Sequence, residues 1–440
     1  MTAPHEEQTD LDRFRHAVES RDARALRQVL EQSAEARAAI NEPLFGFDSP
    51  ALVAVAGSGD LDLVETLLRH GADPNRRSDW WAGGFHPLHA TSGAVADLLL
   101  SAGAVADACA AARIDRPDLL ERILTEDPSR VHERGGDGQT PLHFARSRRV
   151  VDMLLAAGAD LDARDVDHRA TAAEWMSGSP GGPDDRTDLA RYLVEQGATA
   201  DIFLSAALGL TERAEEILRQ DPSALALRTS QGDYGEQPPS SFHIYQWTLG
   251  PNLSPMQVAA ERGHEDTARA LELHASPAER LLLACLLGRR DEALAIVSQH
   301  PDVVSEMSET QRRGLADAAW AGNASAVGLM LELGFDPAFP GPMGANALHC
   351  ASWEGSIECV RAILAHASGR ALVDSREPTY GGTPLSWCCH GSRHCGNPAA
   401  DHGAVARLLI AAGSRVDPEM LQWDCAGGVH SALAEAVKSR

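Results

Sequence analysis

The sequence predicts an all-α protein made of short helix pairs stacked side by side into a solenoid. Three observations carry this expectation. A block of small apolar residues, a glycine, a leucine-rich stripe and a second glycine recurs along most of the 440 residues. Each helix so marked is too short to be stable in water alone, so neighbouring copies must supply the core. Aromatic residues make up only 5% of the chain while Ala and Leu abound, which favours close-packed helices over sheet.

One block shows the elements in order. Ser49-Pro50 precedes Ala51-Leu52-Val53-Ala54-Val55-Ala56. A hydroxyl cap followed by proline suits a first helical turn, and small side chains let a second helix approach closely. Gly59 ends this helix in a conformation that residues with a β-carbon resist. Val64, Leu67 and Leu68 then form the buried stripe of the second helix, which Gly71 closes before Ala72-Asp73.

The block returns as Thr140-Pro141-Leu142-His143 with Leu154-Leu155 and Gly158-Ala159-Asp160. It returns again as Ser254-Pro255-Met256 with Ala259-Ala260 and Gly263-His264, as Ala347-Leu348-His349 with Gly355, and as Thr383-Pro384-Leu385 with Leu408-Leu409 and Gly413. These residues resemble the ankyrin consensus of TPLH, a small-residue pair, Gly, then LL and GAD. The resemblance implies an all-α ankyrin-repeat solenoid of about 11–12 helix-pair units, with projecting hairpin loops and a concave face. Units closing on Asp127-Pro128, Asp221-Pro222 and His300-Pro301 resemble a degenerate, bacterial type of repeat, and those at Pro87 and Pro141 are a few residues short.

The organisation follows from the blocks. Residues 1–45 read as N-terminal capping helices, 46–228 as the first half of the repeats, 253–417 as the second half and 418–440 as a C-terminal cap. Between the halves, 229–252 is an inserted loop that starts like a linker and ends apolar and aromatic, as a segment that docks would. A smaller Gly- and His-rich insertion spans about 391–401.

The chain carries 39 basic and 63 acidic residues, a formal charge of −24, so nucleic acid and anionic membranes are disfavoured as partners. The polar N-terminus lacks a signal core, and no apolar run approaches the ~20 residues of a membrane span. Eight irregularly spaced cysteines do not form a secreted disulfide pattern, which leaves the cytoplasm as the expected location. A capped solenoid has no strand edge to pair, so a monomer is expected.

In the resemblance, the column just before the first-helix glycine faces the groove. It holds Leu286, Trp320, Trp353 and His390, an aromatic stripe suited to binding. Hairpin tips add Trp80, Trp81 and His86; Asp165, Asp167 and His168; His243, Tyr245 and Trp247; and Glu377 with Tyr380. The binding residues expected are therefore Trp320, Trp353, His390, Tyr245, Trp247, Tyr380 and Trp81. Acid/base work would fall to Asp167, His168, His243, Tyr245, Asp317 or Glu354. Trp175 and Trp387 are expected to pack in the core.

His89, His143 and His349 are the His of the TPLH-like quartet and read as structural, as does His264. Cys388, Cys389, His390, His394, Cys395 and His402 superficially resemble a zinc site. Only the His390/His394 spacing fits, however, and the Cys pair occupies a small-residue packing position, so no metal is expected. No GxxxxGK(S/T), GxSxG or HExxH motif occurs, the Gly-Gly pairs at Gly83, Gly135, Gly181 and Gly381 lack a preceding strand, and no cofactor is expected. Together these features favour a cytosolic protein that grips a partner protein through its groove and hairpin tips. The alternative is a small-molecule binder or enzyme with its site in the groove under the 229–252 loop.

Overall fold

A computed structural model describes residues 9–178 and 185–438; Gly181 and the first residues of the polar N-terminus lie outside them. Among the described residues every regular element is helical, and β pairing is confined to the isolated bridges Phe45–Ser49 and Gln237–Ser240. The chain divides into two compact units, one ending at Leu271 and one beginning at Glu272.

The first unit opens with Asp10–Glu19 and Ala23–Gln32. Thr9 caps the first in a reciprocal box with Asp12, and Asp22 caps the second. Their inward residues Phe14, Leu26 and Leu30 are fully buried against Leu52, Leu63 and Leu67 of the next pair, Ala51–Ala56 and Leu61–Arg69. Each such side chain contributes roughly 1.5–3 kcal/mol on burial. The stacking continues to Pro255–Glu261 and Glu265–Glu272, with alanines at the crossings: Ala108 and Ala110–Ala112 are completely enclosed. Where the sequence runs short after Pro87 and Pro141, the first helix shrinks to the single turns Pro87–His89 and Pro141–Phe144.

The second unit stacks Pro277–Leu286 with Arg290–Gln299, Gly314–Trp320 with Ala324–Glu332, Ala347–Glu354 with Ile357–Ala365, and Pro384–His394 with His402–Ala411. Gly427–Lys438 closes it. One continuous core runs through these helices, from Leu281 to Leu433.

Local chemistry explains most helix starts. Ser254, Ser276 and Thr383 each form a reciprocal capping box with proline at the first turn. Pro50 differs: it is itself the cap residue, and Ser49 makes no cap bond. The quartet histidines are structural. His143 Nδ1 accepts from the Thr140 N–H at 3.1 Å while its Nε2 donates to the Ala170 carbonyl at 3.0 Å, tying one repeat to the next. His349 and His264 donate likewise to Gly382 and Ala207.

The expected insertion at 391–401 is partly helix. Pro384–His394 continues three residues past Gly391, because that glycine lies against the preceding repeat: a β-carbon there would sit 2.3 Å from the Trp353 carbonyl oxygen. Only the segment from Cys395 to Asp401 is loop.

Candidate functional site

In the second unit Trp320, Trp353 and His390 of the expected column come together. Trp320 and Trp353 stack with ring centroids 5.9 Å apart and planes inclined by 20°, and Trp387 meets both edge-on at 6.0 Å. His390 lies 5.4 Å from the Trp353 ring. Trp353, Trp387 and His390 floor a trough of about 1000 Å³ whose walls include Tyr380, Met343 and Trp423, with Trp320 stacked behind Trp353. Tyr380 is 73% exposed and Trp423 43%, so the upper wall is apolar and open to solvent.

Glu377 sets that wall. Its carboxylate accepts from the backbone N–H groups of Thr379, Tyr380 and Gly382 and from the Trp387 indole. Burial works to raise its pKa, but these donors hold it below the usual carboxylate value. The tip is thereby fixed with Tyr380 standing out over the trough.

The Cys/His cluster beside the trough is dispersed. Cys388 donates its S–H to the His402 carbonyl, His402 Nε2 donates to the Trp353 carbonyl at 2.8 Å, and His390 and His394 face each other at 4.3 Å. The two acid/base candidates of this unit are also engaged. Asp317 pairs with Arg313 at 3.0 Å, and Glu354 accepts from Asn397.

The first unit holds a second constellation, under the inserted loop. Residues 229–252 fold against the tip at 165–169. Ser241 donates its N–H and hydroxyl to the Asp167 carboxylate at 2.9 and 3.1 Å, Arg169 donates to the carbonyls of Asp233, Gly235 and Ser241, and His168 Nδ1 donates to the Phe242 carbonyl at 2.9 Å. The short helix Tyr245–Thr248 packs behind.

Tyr245 departs from the expectation of a projecting tip. It is completely buried, with its hydroxyl donating to Asp201 at 2.9 Å beside the Tyr234 hydroxyl at 2.7 Å. Burial and the Asp201 charge push its pKa far up, so it is a fixed donor. His243 is also buried, with Nε2 3.6 Å from the Glu174 carboxylate. Trp247 is the residue that stays outside, 57% exposed, with its ring 4.8 Å from His168. Trp175, expected in the core, is half-buried and presents its edge to His168 at 5.2 Å while its indole N–H bonds Asp165. Trp81 is exposed beside Trp80.

Sequence reasoning passed over Asp137. It sits in Gly135-Gly136-Asp137-Gly138, where an aspartate reads as a turn former. Its backbone is left-handed, φ 55°, which aims the carboxylate toward the next tip. There Oδ1 accepts from the Trp80 indole at 3.0 Å, and Oδ2 lies 3.9 Å from His168 Nε2. Burial raises its pKa to about 6; His168 opposes this, and the Asp167 and Asp165 charges add to it. Trp423 was passed over as well, being assigned to a polar cap.

An ankyrin repeat model matches residues 48–79, 137–166 and 343–377, in both units. This is an ankyrin repeat protein. It is similar to the mouse ankyrin repeat and SAM domain-containing protein 6, with 34% identity over 113 residues, which is 25% of this chain and 12% of that protein. The matched segments of the ankyrin repeat protein include the Asp137 turn and the Glu377 tip. No helix among its described residues is long and apolar enough to cross a membrane.

Proposed function

We propose that this ankyrin repeat protein is a recognition module that grips a partner protein through the aromatic trough of its second unit. The observation that carries this reading is the joining of Trp353, Trp387, His390, Tyr380 and Trp423 around one open cavity of about 1000 Å³. Aromatic residues in a preformed hollow are the usual energetic anchors of protein interfaces. Glu377 fixes Tyr380 before any partner arrives, which lowers the ordering cost of binding. Arg376, Arg415 and Glu419 at the rim would select the partner by charge. A reducing compartment such as the cytoplasm fits eight cysteines of which none is paired.

The test is capture of binding proteins by the wild type against Tyr380→Ala and Trp423→Ala, with affinity measured for each protein identified. Both side chains are exposed, so the fold should survive. Each truncation should weaken binding about 30-fold or more, the level of a hot spot at ≥2 kcal/mol. Equal affinity in both variants would sink the trough as the binding surface.

The second reading, a small-molecule site under the 229–252 loop, is favoured by the loop's docking over Asp167 and His168. It predicts a small molecule that co-purifies with the protein in native mass spectrometry and is lost in Trp247→Ala. The exposed Trp247 suits that test better than the buried Tyr245.

A further inference from the structure

We propose that Asp137, Asp167 and His168 of the first unit form a binding site for a divalent transition-metal ion of the Zn²⁺ or Mn²⁺ class. The site is independent of the trough. One carboxylate oxygen from each aspartate and one imidazole nitrogen lie within 4.8 Å of one another. His168 Nε2 is 3.7 Å from Asp167 Oδ2 and 3.9 Å from Asp137 Oδ2. Ligand atoms ~2.0–2.2 Å from a zinc ion in a tetrahedron stand about 3.4 Å apart, so the two distances from His168 need contract by only a few tenths of an ångström, while the two carboxylate oxygens, within 4.8 Å of each other, close in by side-chain rotation.

The imidazole points the same way. His168 Nδ1 faces the Phe242 carbonyl, which has no proton to give, so Nδ1 carries a hydrogen and Nε2 is the nitrogen left to offer a lone pair to an ion held between the two carboxylates. That nitrogen makes no hydrogen bond within the protein, and the His168 side chain is 11% exposed. Were the ring instead protonated at both nitrogens, its Nε2–H would stand 3.7 Å or more from either acceptor, too far for a hydrogen bond. A cation between the three groups satisfies all of them.

Each ligand also has an outside partner that orients it. The Trp80 indole holds Asp137, Ser241 holds Asp167 through two bonds, and the Phe242 carbonyl holds His168. This is the supporting shell that metal ligands require. The nearest guanidinium groups are occupied elsewhere. Arg134 donates to the Gly138 and Arg164 carbonyls, Arg164 to that of Arg169, and Arg169 to carbonyls of the inserted loop. The rings of Trp175 and Trp247 flank the imidazole.

A second group of potential ligands, Asp107, Cys109 and Glu133, makes the contrast. There Arg77 and His89 bond Asp107, while Arg130 and two backbone N–H groups bond Glu133, so its charges are already met. At the proposed site the donors to the two carboxylates, Trp80 and Ser241, are uncharged. Two oxygens and one imidazole nitrogen favour zinc or manganese over calcium, which takes six to eight oxygen ligands. Three protein ligands leave coordination positions open to water or to a bound molecule. Two of the three ligands are tied to residues 241–242, so the ion would also pin the inserted loop to the repeat stack.

The test is calorimetric titration of the full-length, chelator-treated protein with ZnCl₂, MnCl₂ and CaCl₂, with metal content measured after desalting. Limited proteolysis within 229–252 is followed in parallel. We expect one equivalent of Zn²⁺ or Mn²⁺, binding at least 10-fold tighter than Ca²⁺ and slowing cleavage of the loop. Asp137→Asn and Asp167→Asn, each checked for native circular dichroism, should weaken binding at least 10-fold and abolish the protection. His394→Asn, in the Cys/His cluster of the second unit, should retain the full equivalent. The proposal is overturned if the wild type takes up neither ion, or if folded Asp137→Asn and Asp167→Asn bind as the wild type does. Loss of the equivalent in His394→Asn alone would overturn it too.

Discussion

At the scale of single residues, His86 shows how one departure from a repeat pattern makes a protein sensitive to pH. It takes the place that Thr140 holds in the following quartet, and its Nδ1 accepts the Leu88 N–H at 3.1 Å in the manner of a helix cap. The ring is buried and its Nε2 has no partner. Burial, helped by the neighbouring His89 and Arg77 and opposed by Asp107 and Asp73, pulls its pKa from 6.5 to about 4. A histidine with a depressed folded pKa binds its proton more readily when unfolded, so stability falls as pH drops from about 6.5 toward 4. The loss is on the order of 3 kcal/mol. Denaturation at pH 7.5 and pH 4.5 should show this, and His86→Thr should reduce the difference while keeping the cap. A variant with the same pH slope as wild type would refute the assignment. At Tyr245 the chemistry differs: Tyr245→Phe removes one of two hydroxyl donors to Asp201 and should cost ~1–3 kcal/mol in thermal or chemical denaturation.

At the scale of elements, Pro384–His394 depends on a close approach. Gly391→Ala would force a β-carbon onto the Trp353 carbonyl oxygen and displace the helix end that carries His390 and His394. Overpacking of this kind costs typically 1–3 kcal/mol, and more where backbone must move. It should lower the melting temperature and also weaken any partner that uses the trough. The helices and their order were legible in the sequence because many starts carry a cap residue, several of them with proline in the first turn, and each stripe its spacing. The docking of 229–252 was foreseen in outline only, since its apolar end announced a landing surface without saying where. That surface is made of tips 74 residues away along the chain, such as Asp167 against Ser241. Long-range pairings of that kind leave no periodic trace. The pairing of Trp320 with Trp353 was readable because repeat register fixes which side chains share a face. Asp137 was not, because an aspartate before glycine in a turn has the same residue signature whether its carboxylate meets solvent or a buried imidazole.

At the scale of the whole molecule, repeats bury their cores against their neighbours, so damage should be local before it is global. Leu348 is fully enclosed in the second unit's core. Leu348→Ala should lower the stability of that unit by ~2–5 kcal/mol, measured by denaturant unfolding. Cys350 and Cys359 flank the damage and are buried, so they should react with thiol reagents at lower denaturant than in the wild type.

The distribution of thiols turns the protein into its own unfolding gauge. Seven of the eight cysteines are enclosed and Cys395 is partly open. A maleimide added to the native protein should therefore mark one position first, giving a single handle for a fluorophore at the C-terminal end of Pro384–His394. Cys109 is the sole thiol of the first unit, and the other six enclosed ones belong to the second. A time course of labelling read by mass would thus separate the opening of one stack from the opening of the other, with no engineered probe.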